Sequence, residues 1–227
     1  MNYIICVAAA VGSFFLAWRT LDLKTVRSSR LLRSRHPEDE EMGKQLGPQQ
    51  ILALALLLTL ADTVTVWRLF LTVHDPLNLL KLSLALVILT GCACVDGVEH
   101  RIPNFLSGTL ALSALALLAA GFLTGQTGAF GYLQSSLFAA AVTAACLVVG
   151  AVLSHQGIGA GDIKLLAALG LMGGVTIVGG TIFFAMLPCA LVSAGLLITK
   201  KKTMREAIPF GPFLLIGYML TIWILKF

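Results

Sequence analysis

Long apolar runs separated by short polar breaks dominate this chain. Residues 3–18, 50–73, 77–96, 104–124, 132–154 and 208–225 are each nearly free of charge, and residues 163–199 form one longer apolar stretch. A helix needs about 20 apolar residues to cross the hydrocarbon of a bilayer. Residues 163–199 are therefore long enough for two helices, one of them short, with the break at Gly173-Gly174 or Gly179-Gly180. The pattern predicts an all-α polytopic membrane protein of about eight transmembrane helices, forming a single membrane domain over 1–227. The breaks carry turn signals: His74-Asp75-Pro76, the uncharged Gly125 to Gly131, and the glycine-rich 155–162.

Composition agrees with this. Hydrophobic residues make up 58% of the chain and charged residues 12%, against about 25% charged in soluble domains. The net charge of +5 does not point to nucleic acid, because the basic clusters lack the stacking aromatics such a surface needs. It sets orientation instead. With eight spans and the N-terminus outside, all of the 16 Lys and Arg except Arg68, Lys81 and Lys226 fall on the cytoplasmic side. The first run has no positive charge before it and Arg19 after it, so it reads as an uncleaved helix, not a secretory signal. Residues 19–49 become the largest cytoplasmic loop, with seven Lys and Arg and the acidic run Glu38 to Glu41. Arg68, near the outer end of its span, is expected to snorkel. The lipid bilayer is thus the first partner the sequence implies. It implies no oligomeric state.

The five cysteines, Cys6, Cys92, Cys94, Cys146 and Cys189, all lie in apolar runs without a Cys-x-x-Cys spacing. They read as small packing residues, and no metal site is expected.

Orientation brings two carboxylates together in depth. Asp96 closes the third span and Asp162 opens the sixth, both at the cytoplasmic side. Either alone is unremarkable chemistry: Asp96 as a solvated or capping helix end, Asp162 as the N-cap of the helix that follows. As a facing pair they repel, so one keeps its proton, which leaves one acid and one base to activate a water against a peptide carbonyl. Gly157, Gly159 and Gly161 allow the backbone before Asp162 to approach a ligand closely. Lys164, two residues on, is expected to act locally on Asp162 or to snorkel. His100 and His155 flank the pair and read as solvated loop residues.

The string Gly159-Ala160-Gly161-Asp162-Ile163-Lys164 resembles the G-x-G-D-x-K signature of type IV prepilin peptidases, which are membrane aspartyl proteases. Asp96 with Ile102-Pro103-Asn104 resembles that family's other signature. Ile208-Pro209-Phe210-Gly211-Pro212-Phe213 resembles its entry to the last helix, and Gly12-Ser13-Phe14 a pattern in its first. The four matches follow the family's order across nearly the whole chain. The resemblance implies that Asp96 and Asp162 are the catalytic pair and that Gly159, Gly161, Lys164, Pro103, Asn104, Pro209 and Gly211 shape the site or bind substrate. It implies cleavage of the basic leader from prepilin or pseudopilin precursors at the cytoplasmic face of a bacterial inner membrane. Glu99 is a candidate contact for the basic leader.

The chain departs from the family in the first cytoplasmic loop. Many members carry there two Cys-x-x-Cys pairs and also N-methylate the new N-terminus; residues 19–49 hold no cysteine. A peptidase without cofactor is therefore expected, with S-adenosylmethionine needed only if methyl transfer is retained. A presenilin-like protease acting on another substrate is a rival, disfavoured by Ile102-Pro103-Asn104. A transporter or proton channel using the aspartates as a relay is a second. It is disfavoured by the absence of an inverted repeat and by both carboxylates lying at one side of the membrane.

Overall fold

The computed structural model describes residues 12, 48–99, 102–125, 128–153, 159–198 and 209–225, with backbone only for 48–55, 98, 99, 196 and 197. The first apolar run apart from Gly12, the 19–49 loop apart from its last two residues, His100, His155, Gly157 and the 200–206 basic cluster lie outside the described residues. So does the side chain of Glu99.

Among the described residues six helices follow in order: α1 Pro48–Thr72, α2 Pro76–Glu99, α3 Asn104–Leu123, α4 Ala129–Leu153, α5 Ala160–Ile198 and α6 Gly211–Ile224. Among the described residues there is no strand, and four helices, α2 to α5, are long and apolar enough to cross a membrane. The described residues form an all-helical bundle, as expected of a multi-pass membrane protein. The boundaries follow local chemistry. Pro76 opens α2 at a position where its missing N–H costs nothing. Pro103, extended at φ −65° and ψ 131°, precedes α3. At its far end Thr124 donates its N–H to Ala120 O, and Gly125 follows at φ 65°, the left-handed turn that ends many helices. Helix α4 begins at Ala129, inside the expected loop, because the turn is completed by Gly128 at φ 85°.

Helix α5 settles where the longer apolar stretch breaks. Gly174 has φ 72° and ψ −174° in an otherwise helical run, a conformation open to glycine and strained for other residues. Gly179-Gly180 stays helical. The contacts on either side show that the chain reverses at Gly174. The first arm leaves Asp162 and passes Ala139 and Ala140 at Gly170. On the second arm Gly180 meets Thr221 and Thr181 and Ala185 meet Gly217, so this arm runs antiparallel to α6. Gly217 has no room for a Cβ against Thr181 O and Ala185, the small-residue approach by which membrane helices gain packing.

Helix α2 is the hub. Most of its apolar length is buried, whereas α3, α4 and α5 turn most of theirs outward. It packs against α1, α3, α5 and α6. Leu79, Leu86 and Leu89 of α2 are buried with Leu69, Leu110, Leu165, Leu169, Leu214 and Ile222 from its neighbours. Tyr218 of α6 is fully buried and donates its hydroxyl to Leu82 O at 2.8 Å. The exterior carries Leu112, Leu115, Phe138, Phe183 and Leu191, as a surface facing lipid requires. Arg68, expected to snorkel, packs on an aromatic ring. Its guanidinium lies 5.8 Å from the centre of the Trp223 ring, and its Nε is buried without a hydrogen-bond partner among the described residues.

Candidate active site

The end of α2, the starts of α3 and α5, and the entry to α6 meet at one end of the bundle. Asp96, one turn before the end of α2, is only 5% exposed. It is neither solvated nor a cap of its own helix. Its Oδ2 accepts the backbone N–H of Gly211 at 2.7 Å. Gly211 is the first residue of α6, so the carboxylate faces the free N–H groups and positive dipole end of that helix. The approach is close enough that a Cβ on Gly211 would fall 2.9 Å from Asp96 Cβ and 3.1 Å from its Oδ2. Pro212 lies beside Gly97 in the same contact.

Asp162 sits in the first turn of α5. It is not the N-cap. Gly159 holds that place, its carbonyl accepting the N–H groups of Asp162 at 3.1 Å and Ile163 at 3.3 Å. The Asp162 carboxylate in turn hydrogen-bonds the backbone of Gly159. This is the reciprocal half of a capping box, and it fixes the side chain over the glycine loop. A Cβ on Gly159 would come 3.1 Å from Asp162 Oδ2. Gly161 rests on Ile102, where a Cβ would come 3.1 Å from the Ile102 Cβ, and this seats the loop against the residues leading into α3. Asp162 is half-buried, and Asp96 is near enough for its charge to bear on it.

The structure thus gathers Asp96, Asp162, Gly159, Gly161, Pro103, Asn104 and Gly211 at one end of the bundle. Pro209 is half-buried two residues before Gly211. Lys164 departs from expectation. Its Nζ donates to Asn104 Oδ1 at 3.1 Å, because residues two apart on a helix point about 200° away from each other. The lysine ties α5 to α3 and does not pair with Asp162.

One polar feature escapes a reading of run lengths. Asp62 of α1 is 1% exposed, and Thr90 of α2 donates to its Oδ2 at 2.9 Å and Oδ1 at 3.1 Å. The signal was a lone carboxylate inside the 50–73 run, which is costly in a membrane span without a partner. Thr90 lies on the same helix as Asp96, less than two turns before it.

Residues 83–194 match the Type IV leader peptidase family, a segment that contains both Asp96 and Asp162. A prepilin leader peptidase/N-methyltransferase of Bacillus subtilis is 36% identical over 86 residues, which are 38% of this chain and 35% of the relative. A protein of the same name from Pseudomonas aeruginosa is 30% identical over 141 residues, 60% of this chain and 46% of the relative. Leader peptidase HopD of Escherichia coli is 42% identical over 65 residues, 28% of this chain and 42% of the relative. The matches span less than half the length of each of these relatives. No solved structure matches the chain.

Proposed function

This chain belongs to the type IV leader peptidase family through residues 83–194, and from that premise we propose that it is a membrane aspartic endopeptidase removing the basic leader from prepilin or pseudopilin precursors. The observation that carries the reading is the meeting of Asp96 and Asp162, from helices far apart in sequence, beside the N–H of Gly211. Two carboxyl groups that bear on each other share a proton between them. The ionised one takes a proton from water as the oxygen attacks the scissile carbonyl carbon. The protonated one gives its proton to the carbonyl oxygen. The tetrahedral diol then collapses, the C–N bond breaks, and a proton passes to the leaving amine, the new N-terminus of the pilin.

The remaining parts of the reading follow from placement. Eight spans with the N-terminus outside put the aspartate end at the cytoplasmic face of a bacterial inner membrane, where a basic leader would emerge. The substrate's apolar helix would enter the lipid alongside the bundle. Methyl transfer is a separate activity carried in the names of two of the relatives. S-adenosylmethionine would supply the methyl group there, and peptide hydrolysis draws nothing from it.

Co-expression with a candidate prepilin tests the proposal. The wild-type chain shortens the precursor by its leader on a gel. Asp96→Asn and Asp162→Asn each abolish the shift while the variants purify as folded, helical protein. Full cleavage by either variant would sink the assignment. Loss of proton or solute flux in liposomes, with every prepilin left intact by wild type, would turn it toward the relay.

A further inference from the structure

The opposite end of the bundle holds a polar feature that hydrolysis does not use. A cavity of about 750 Å³ lies between the α1–α2 turn, the start of α4 and the Gly174 reversal. Its lining includes His74, Asp75, Asn78, Lys81, Tyr132 and Ser135. Lys81 and Asp96 share α2, and at 1.5 Å per residue they stand about 22 Å apart along its axis. The two sites therefore open toward opposite membrane faces.

Lys81 lines this cavity. It is only 3% exposed, and burying an ammonium ion requires compensation. Among the described residues its neighbours are the face of Tyr132, with Nζ 4.0 Å from the ring centre, and the charge of Asp75. An aromatic face stabilises the cation but leaves its three N–H donors without strong acceptors. Both neighbours are fixed from behind. The Tyr132 hydroxyl donates to Met172 O at 3.1 Å, and the Asn78 amide donates to Asp75 Oδ2 at 3.3 Å. The ammonium sits against the Tyr132 ring in the wall of a cavity that Asn78, Ser135, Gly173 and Gly174 also line.

A second cation would be repelled by Lys81, and an uncharged ligand would leave its donors unmet. An oxyanion meets both conditions. The cavity lies where the helices end, and its volume far exceeds that of a water molecule. We infer that this cavity binds a phosphate-bearing anion, the headgroup of an anionic membrane lipid or free phosphate, through the buried ammonium of Lys81. Asp75 limits the affinity by its like charge and makes the site selective for ligands that can also accept from Lys81. The inference does not depend on the peptidase reading, and its test makes no use of prepilin cleavage.

The test uses the full chain, purified and stripped of lipid in a neutral detergent. Phosphatidylglycerol, diacylglycerol and inorganic phosphate are added separately. Retained lipid is read by native mass spectrometry, and phosphate by calorimetry. Phosphatidylglycerol is expected to bind well above diacylglycerol. Lys81→Met should weaken phosphatidylglycerol or phosphate by at least about tenfold, the scale of one lost hydrogen bond to a charged group. Lys81→Arg should retain binding, and Asp75→Asn should tighten it. Lys81-dependent binding of the lipid alone identifies a headgroup site, and of phosphate, with or without the lipid, a site for the free anion; each supports the proposal. Equal binding by wild type and Lys81→Met, equal retention of diacylglycerol, or binding of neither anion overturns it. Should Lys81→Met fail to fold, an Asp75→Asn variant with unchanged affinity overturns it as well.

Discussion

The backbone N–H of Gly211 and the carboxylate of Asp96 form a 2.7 Å hydrogen bond between residues 115 positions apart in sequence. It fixes the buried aspartate against the start of the last helix. A methyl group at position 211 would fall 2.9 Å from Asp96 Cβ, too close for both to stay in place. Gly211→Ala is therefore expected to displace Asp96 and lower leader cleavage about 100-fold, the cost of a misplacement near 1 Å. Cleavage kinetics with a purified prepilin measure it. Wild-type rates in the alanine variant would show that the contact does not position Asp96.

The reversal at Gly174 makes a different demand. At φ 72° an L-side chain is strained, so Gly174→Ala should cost roughly 1–3 kcal/mol, whereas Gly179→Ala, with open space at its Cβ, should cost far less. Thermal unfolding of the two variants in detergent makes the comparison.

The same reversal predicts sidedness. Ala160 and Val175 are both exposed, Ala160 at the start of the first arm of α5 and Val175 just past the reversal at its far end. In a background with Cys6, Cys92, Cys94, Cys146 and Cys189 replaced by alanine, Ala160→Cys should react with an impermeant thiol reagent only from the cytoplasmic side. Val175→Cys should react only from outside. Labelling of both from one side would remove the hairpin from the topology.

Asp62 and Thr90, less than two helical turns from Asp96, predict a stability effect. Thr90→Val removes a hydrogen bond to a buried carboxylate and should destabilise by roughly 1.5–3 kcal/mol. Asp62→Asn keeps an oxygen that accepts from Thr90 and should cost less. Denaturation midpoints of the two variants give the order.

Lys164 and Asn104 predict a small effect. Both side chains are exposed, so a double-mutant cycle of Lys164→Ala and Asn104→Ala should give a coupling below about 1 kcal/mol, as solvent screens the pair.

The meeting of Asp96 and Asp162 was legible because run lengths and basic residues fix the depth of each helix end, and both aspartates stand at such ends. The choice between Gly173-Gly174 and Gly179-Gly180 was not. Two glycine pairs look alike in sequence, and packing separates them: Gly180 is needed for close approach to Thr221, while Gly174 carries the positive φ. The bond from Lys164 to Asn104 and the pairing of Asp62 with Thr90 depend on how neighbouring helices are rotated against each other. Apolar runs that are hydrophobic all round carry little information on rotation. The motif containing Gly211 was visible, but its role as a backbone donor to Asp96 emerges only from the crossing of α2 and α6.

The first arm of α5, from Ala160 to Gly173, is about 21 Å long at helical rise, whereas the hydrocarbon layer is about 30 Å thick. With its far end at the Lys81 cavity, this arm is too short to carry Asp162 across the full hydrocarbon of an undeformed bilayer. The membrane must thin around it, or polar solvent must descend to it, and hydrophobic mismatch of this kind is accommodated at modest cost. For the proposed endopeptidase the shortness of one helix would be a means of delivering water, by lowering a polar floor into the bilayer toward the carboxylates.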